Sequence, residues 1–198
     1  RPAWHACACC PPNLARLIAS LGKYLWSEDE GTVYSHLFIG SEVETRYGRI
    51  SMTSGYPWEG KAEYTIHDGG DFALTIHVPQ HAVKVSLHVN GEEVSNVTAD
   101  GYCRIQRNWQ QGDRVVVEFD MPVRRIHAHP CVRDAAGKVA LARGPLVYCV
   151  EGMDHHASLS SIVLPESAVV HTTVEEMVVL CAEGIAQYAS DGLYSVDA

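Results

Sequence analysis

A mainly β fold, with antiparallel sheets packed as a sandwich, is what this sequence predicts, on three observations. Strand-length segments recur at intervals of roughly ten residues over most of the chain. Turn signals separate them, at Gly48, Asp68-Gly69-Gly70-Asp71, Asn90-Gly91 and Gln111-Gly112-Asp113. Apolar and polar residues alternate within them, most strictly in Val83-Lys84-Val85-Ser86-Leu87-His88-Val89.

The first element is the exception, a helix. From Asn13 to Trp26 the apolar residues Leu14, Leu17, Ile18, Leu21, Tyr24 and Leu25 fall on one helical face. Pro11 and Pro12 precede this stretch, and Asn13 can cap it. One helix cannot bury its own stripe, so it either packs on the β-domain or belongs to a helical domain upstream. Ser27 to Gly31 reads as a polar exit and a boundary.

Strands follow. Thr32 to Ile39 is β-rich, and Glu42 to Tyr47 with Arg49 to Thr53 form a hairpin about Gly48. Tyr56-Pro57-Trp58-Glu59-Gly60 is an aromatic turn, followed by Lys61 to His67. Phe72 to Val78 alternates as a half-buried strand does. Asn90-Gly91 is a hairpin turn of the kind that needs positive φ. Tyr102 to Gln106 and Arg114 to Phe119 complete the first group. A second group starts near Val123. It runs through Val139 to Val150, broken at Arg143-Gly144-Pro145, and then Ile162 to Leu164, Ala168 to Thr173, Met177 to Ala182 and Gly184 to Tyr188. The expected domains are therefore 1–26, 27–122 and 123–198.

Composition bounds the function. The chain has 198 residues, 46% of them hydrophobic, which supports a sizeable core and argues against disorder. A net charge of −9 argues against nucleic acid or an anionic membrane as partner. No apolar run approaches the roughly 20 residues that span a bilayer. The first residue is Arg1 and no secretory leader is visible, so the true N-terminus is expected to lie elsewhere. Seven cysteines are present. Cys103, Cys131, Cys149 and Cys181 sit in apolar strand-like contexts and read as reduced core residues. This usage suits a reducing, cytoplasmic compartment better than a disulfide scaffold.

The remaining three, Cys7, Cys9 and Cys10, fall within four positions just before the helix. The positive end of a helix favours thiolate over thiol, as does a bound metal. Zinc wants four ligands, so two adjacent thiolates need help from distant residues. Cys7 and Cys10 make one Cys-x-x-Cys spacing with no second ligand pair after it. Metal or catalytic chemistry and inert packing at a domain seam both fit these residues. His77, His81, His88 and His155-His156 are scattered on strands and loops. Trp58 and Trp109 could stack on sugars or fill a core. Glu92-Glu93 and Glu175-Glu176 read as solvated charge.

Cys9-Cys10-Pro11-Pro12-Asn13 followed by Ala15-Arg16 resembles the signature of the bacterial β-L-arabinofuranosidases of glycoside hydrolase family 127 and its relatives. Tyr56-Pro57-Trp58-Glu59-Gly60 is similar to the family's Tyr-Pro-Trp-Asp-Gly turn, and Val89-Asn90-Gly91 to its Val-Asn-Gly hairpin. Gly101-Tyr102, Trp109, Gly112-Asp113 and the run Ala140 to Glu151 also match, in order. At His81 the family tends to have Trp, so an aromatic is expected to be lost there.

The resemblance implies an (α/α)6 barrel catalytic domain followed by β-sandwiches, with residues 1–26 as the last loop and helix of the barrel. It implies a retaining hydrolase that removes non-reducing terminal β-L-arabinofuranosides from plant-type arabinose-containing glycans or oligosaccharides. It implies a Zn2+ held by one Glu and three Cys, with Cys9 as nucleophile and ligand and Cys10 as a further ligand. The other ligands, from a Glu-x-Cys motif, and the acid/base Glu are expected upstream, since the chain contains no Glu-x-Cys. Cys7 receives no role. The chain is therefore expected to be a fragment inactive alone, and the resemblance leaves room for a homodimer through the β-domains. The alternative is a non-catalytic accessory or carbohydrate-binding β-sandwich module.

Overall fold

The computed structural model describes residues 9–95, 97–156 and 158–187. It divides into two compact units, residues 1–120 and 121–198.

The first unit opens with helices α1 (Cys10–Ser20) and α2 (Gly22–Leu25). The helix therefore starts earlier than expected. Pro11 and Pro12 lie inside its first turn, where a backbone N–H would have no partner within the helix, so proline loses nothing there. Cys9 is the N-cap residue, and its carbonyl accepts the first helical bond from the Asn13 N–H at 3.2 Å. Asn13 does not cap; its Oδ1 accepts from Arg16 Nη1 at 2.8 Å.

Eleven strands follow. They are β1 (Trp26–Asp29), β2 (Thr32–Ser35), β3 (Ser41–Thr45), β4 (Gly48–Ser54), β5 (Lys61–Ile66) and β6 (Gly70–His77). Then come β7 (Val85–Val89), β8 (Glu92–Glu93), β9 (Val97–Ala99), β10 (Tyr102–Trp109) and β11 (Arg114–Phe119). Ser27 to Gly31 is thus not a polar exit: β1 and β2 form a hairpin in which Trp26 pairs with Ser35. One sheet runs β1-β2-β6-β10-β9 and the other β3-β4-β5-β11-β7-β8. Every pairing is antiparallel except β2 with β6, which is parallel.

The core lies between the two sheets. Ile50, Met52, Ala62, Tyr64, Ile66, Leu87, Val89, Val115 and Val117 meet Val33, Phe72, Leu74, Ile76, Cys103 and Trp109. Ser35 Oγ and Tyr64 Oη hydrogen-bond across the gap at 2.9 Å, so the buried phenol keeps a partner. β6 is not half-buried. Phe72 to Ile76 are all buried, Ala73 and Thr75 on the second face included, and the strand is central in its sheet.

Turns are fixed by few residues. Asn90 and Gly91 both take positive φ, 54° and 86°. The Asn90 side chain is used at both ends: Nδ2 donates to Asp113 Oδ1 at 2.8 Å, and Oδ1 accepts from the Arg114 N–H at 2.9 Å. Asp113 also accepts from the Gln110 N–H at 2.9 Å. Burial opposes ionisation of Asp113, but these hydrogen bonds, with the charge of Arg107, outweigh it and lower its pKa.

The second unit holds β12 (Val123–His127), β13 (Val139–Arg143) and β14 (Leu146–Tyr148) in one sheet. Two ribbons pair β15 (Ile162–Val163) with β18 (Ile185–Ala186), and β16 (His171–Val174) with β17 (Val178–Cys181). No helix among the described residues is long and apolar enough to cross a membrane.

Candidate functional site

The cysteine pair sits where a helix begins. Cys9 has helical dihedrals, φ −73° and ψ −45°, and Cys10 is the first residue of α1. With both residues helical, the two sulfurs lie 3.5 Å apart and exposed. Two sulfurs on one tetrahedral zinc stand about 3.8 Å apart, given a Zn–S bond of roughly 2.3 Å. The pair therefore fits as two of four ligands with little change. Among the described residues, no group of three or more His, Cys, Asp or Glu completes such a site. Cys7 lies outside the described residues.

The prolines alter the electrostatics. A helix start usually offers several N–H groups to an anion, but Pro11 and Pro12 have none, and the Asn13 N–H is taken by Cys9. This start therefore presents fewer backbone donors than a helix N-terminus usually does.

The stripe of α1 is open. Leu14, Leu17, Ile18 and Tyr24 are exposed, Ile18 to 65%, while Leu25 alone of the predicted apolar face is buried. Of the two ways to cover this stripe, packing on the β-unit is not the one adopted.

The other candidates are placed as follows. Trp109 is fully buried and its Nε1–H donates to the Phe72 carbonyl at 2.9 Å, so it is a core residue and not a sugar platform. Trp58, in the aromatic turn, is 42% exposed. His81, where the family tends to have Trp, keeps an aromatic role: its ring stacks on Tyr56 with centroids 6.0 Å apart, and Tyr56 packs on Phe38 at 5.3 Å. Of the four cysteines expected in the core only Cys103 is buried; Cys131 and Cys149 are exposed, and Cys181 is half-buried against Thr173 Oγ1 at 3.5 Å. Cys131 and Cys149 follow β12 and β14 in connecting segments, outside the strands that their apolar neighbours suggest. Glu92 and Glu93 lie on the exposed β8, and Glu175 and Glu176 are exposed as well.

One constellation was not visible in the sequence. His36 binds Ser27 Oγ through Nε2 at 2.7 Å and Tyr102 Oη through Nδ1 at 2.9 Å. Tyr34 stacks on its ring, and His77 packs against Tyr102. Burial lowers the pKa of His36, and burial with the nearby His36 lowers that of His77. Its members come from four strands or their ends, so no sequence spacing signals it; the pairings of β1 with β2, β2 with β6 and β6 with β10 bring them together.

Comparison with known proteins bears on both units. The family model described as beta-L-arabinofuranosidase, GH127 middle domain, matches residues 32–121. The glycoside hydrolase family 127 C-terminal domain matches residues 123–185. A non-reducing end β-L-arabinofuranosidase of Bifidobacterium longum subsp. longum is 36% identical over 79% of this chain and 25% of its own. The crystal structure of a GH127 β-L-arabinofuranosidase from Geobacillus stearothermophilus T6 superposes with a TM-score of 0.80 at 38% identity. That match covers 100% of this chain and 33% of the other. A further GH127 β-arabinofuranosidase structure gives a TM-score of 0.85 at 28% identity, over 96% of this chain and 34% of its own. The chain thus spans a quarter to a third of the length of these relatives.

Proposed function

Because the chain belongs to glycoside hydrolase family 127, we propose that it is the β-rich part of a retaining β-L-arabinofuranosidase, and that it carries the nucleophile at its helical end. The observation that supports this most directly is the Cys9–Cys10 pair, sulfurs 3.5 Å apart, at the start of a helix whose apolar face is open. Arabinofuranosidases are what the relatives are, and an arabinofuranoside at a non-reducing end is the substrate this reading assigns.

Cys9 Sγ is the nucleophile and Cys10 Sγ the anchor. When bound, Zn2+ supplies the positive charge that keeps the thiols ionised at neutral pH. In the first step the Cys9 thiolate attacks the anomeric carbon, the bond to the leaving oxygen breaks, and that oxygen takes a proton from a general acid. In the second step water attacks the same carbon, gives its proton to the same group as base, and releases the Cys9 thiolate. Two displacements retain the anomeric configuration. Pro11 and Pro12 restrict the backbone after the pair, so the two sulfurs keep their spacing while one of them reacts. The remaining ligands and the general acid lie outside this chain in this reading, and the open stripe of α1 packs on the helical domain that carries them.

The test is metal and activity together. Zinc content and hydrolysis of a chromogenic β-L-arabinofuranoside are measured for the 198-residue chain and for a longer protein with a family catalytic domain placed before it. Stoichiometric zinc and turnover are expected only in the longer protein, and both are lost in its Cys9→Ser and Cys10→Ser variants. Turnover by the short chain at a comparable rate overturns the divided site. Zinc held by the short chain alone would point to a self-contained structural site. The accessory-module reading rests on one observation, the half-exposed Trp58 on a turn of the sandwich. It prevails if the longer protein is active with Cys9 replaced and the short chain binds arabinan.

A further inference from the structure

The second unit has an open concavity of about 460 Å³ on its surface, where His127, His129, Lys138 and Glu166 are exposed and Arg125 is half-buried. Arg125 and His127 line it from β12, two residues apart and so on the same face of the strand. His129 and Lys138 line it from the segment between β12 and β13, and Glu166 from the turn closed by the Ala168 N–H on the Pro165 carbonyl at 3.1 Å.

Backbone groups hold three of these side chains, those of Arg125, Lys138 and His129. Arg125 Nη2 donates to the Ala168 carbonyl at 2.7 Å, which ties the guanidinium to the turn of Glu166 and leaves its other donors for a ligand. Lys138 Nζ donates to the Asp134 carbonyl at 2.7 Å and keeps two further donors. The Cys131 N–H donates to His129 Nδ1 at 3.2 Å, which puts the proton of a neutral ring on Nε2 and makes that atom a donor. Ala135, Ala136 and Gly137 form a wall of small residues beside them. In a chain of net charge −9, two permanent cations and two imidazoles line this concavity together with a single carboxylate. Such a concavity concentrates positive potential and draws anions.

We propose that this concavity binds an anionic sugar, a hydroxylated ring carrying one carboxylate or phosphate group. The oxyanion sits against Arg125, Lys138 and His129, and ring hydroxyls donate to Glu166. A bare anion gains nothing from Glu166 and is repelled by it, and a neutral sugar has no use for the cations, so the mixed lining selects a molecule with both features.

The test is calorimetric titration of the 198-residue chain at low salt. The ligands are D-galacturonate with its neutral counterpart D-galactose, D-arabinose 5-phosphate with D-arabinose, and inorganic phosphate. At least one of the two acids is expected to bind about tenfold more tightly than its neutral counterpart, and which one does so distinguishes carboxylate from phosphate. Lys138→Gln is expected to weaken that binding about fivefold without changing the melting temperature. Glu166→Gln is expected to strengthen the binding of inorganic phosphate and to weaken that of the sugar acid. Equal binding of acid and neutral sugar, or no binding of either acid, overturns the proposal. So does inorganic phosphate binding as tightly as the better acid, or an unchanged affinity in a folded Lys138→Gln chain. None of these outcomes depends on Cys9 or Cys10.

Discussion

At the scale of single residues, Trp109 and Asp113 do more for the first unit than the sequence suggests. Trp109 fills the core and satisfies the Phe72 carbonyl, so Trp109→Ala removes both a large apolar body and a donor. A loss of about 3–5 kcal/mol is expected, read from the shift of a urea unfolding curve. Asp113 is ionised more readily in the folded chain than in the unfolded one, where a carboxyl of its kind titrates near 3.9. Its contribution is therefore complete above that value and is lost as pH falls below it towards the folded pKa. Asp113→Asn should cost about 1–3 kcal/mol at neutral pH, and the variant should lose less stability than the parent on going from pH 5 to about pH 3. Equal acid sensitivity in parent and variant would assign the acid response to other carboxylates. The proximity of Cys9 and Cys10 is local: adjacent residues at the start of an amphipathic helix need no fold to be brought together. The lining of the second unit's concavity was not legible in the sequence, because Arg125 and Glu166 are far apart in the chain and meet only through the Arg125 tie to Ala168.

Elements were legible in proportion to how much their pattern depends on local sequence. β11 and the hairpin of β3 and β4 lie where alternation and turn residues put them. β1 was missed, since Ser27, Glu28 and Asp29 carry no apolar signal; the strand is made by its pairing with β2, an edge where polar side chains face solvent. The start of α1 was misplaced because proline reads as a breaker, while in a first turn it is neutral or favourable. The open stripe gives a test at this scale. In the 198-residue chain, Leu17→Ser or Ile18→Ser should change stability by no more than about 0.5 kcal/mol, as an exposed substitution does. In the longer protein the same changes should cost about 2–4 kcal/mol if the stripe is covered there. Comparison of denaturation midpoints in the two proteins decides it; a small change in both would leave α1 solvated in the whole molecule too.

Across the whole molecule, burial is unequal. Trp109, Tyr64, Phe72 and their neighbours make a closed core in the first unit, whereas the buried apolar residues described in the second are Met121, Ala142 and Val178. Amide exchange should follow this: the slowest amides are expected in β6, β5 and β11, and those of β15 to β18 should exchange faster by orders of magnitude. Uniform protection across both units, read by mass spectrometry, would contradict it. The junction at the start of the chain has a different kind of consequence. α2 passes into β1 with no residue between Leu25 and Trp26, Leu25 is buried, and its carbonyl accepts the His36 N–H at 2.9 Å. The cysteine-bearing helical segment is thus joined to the sandwich without a linker. A gene recombining at this point would have no tolerant seam to cut, so this β-unit is expected to be inherited together with the helix before it and not traded among unrelated enzymes as a loose cassette.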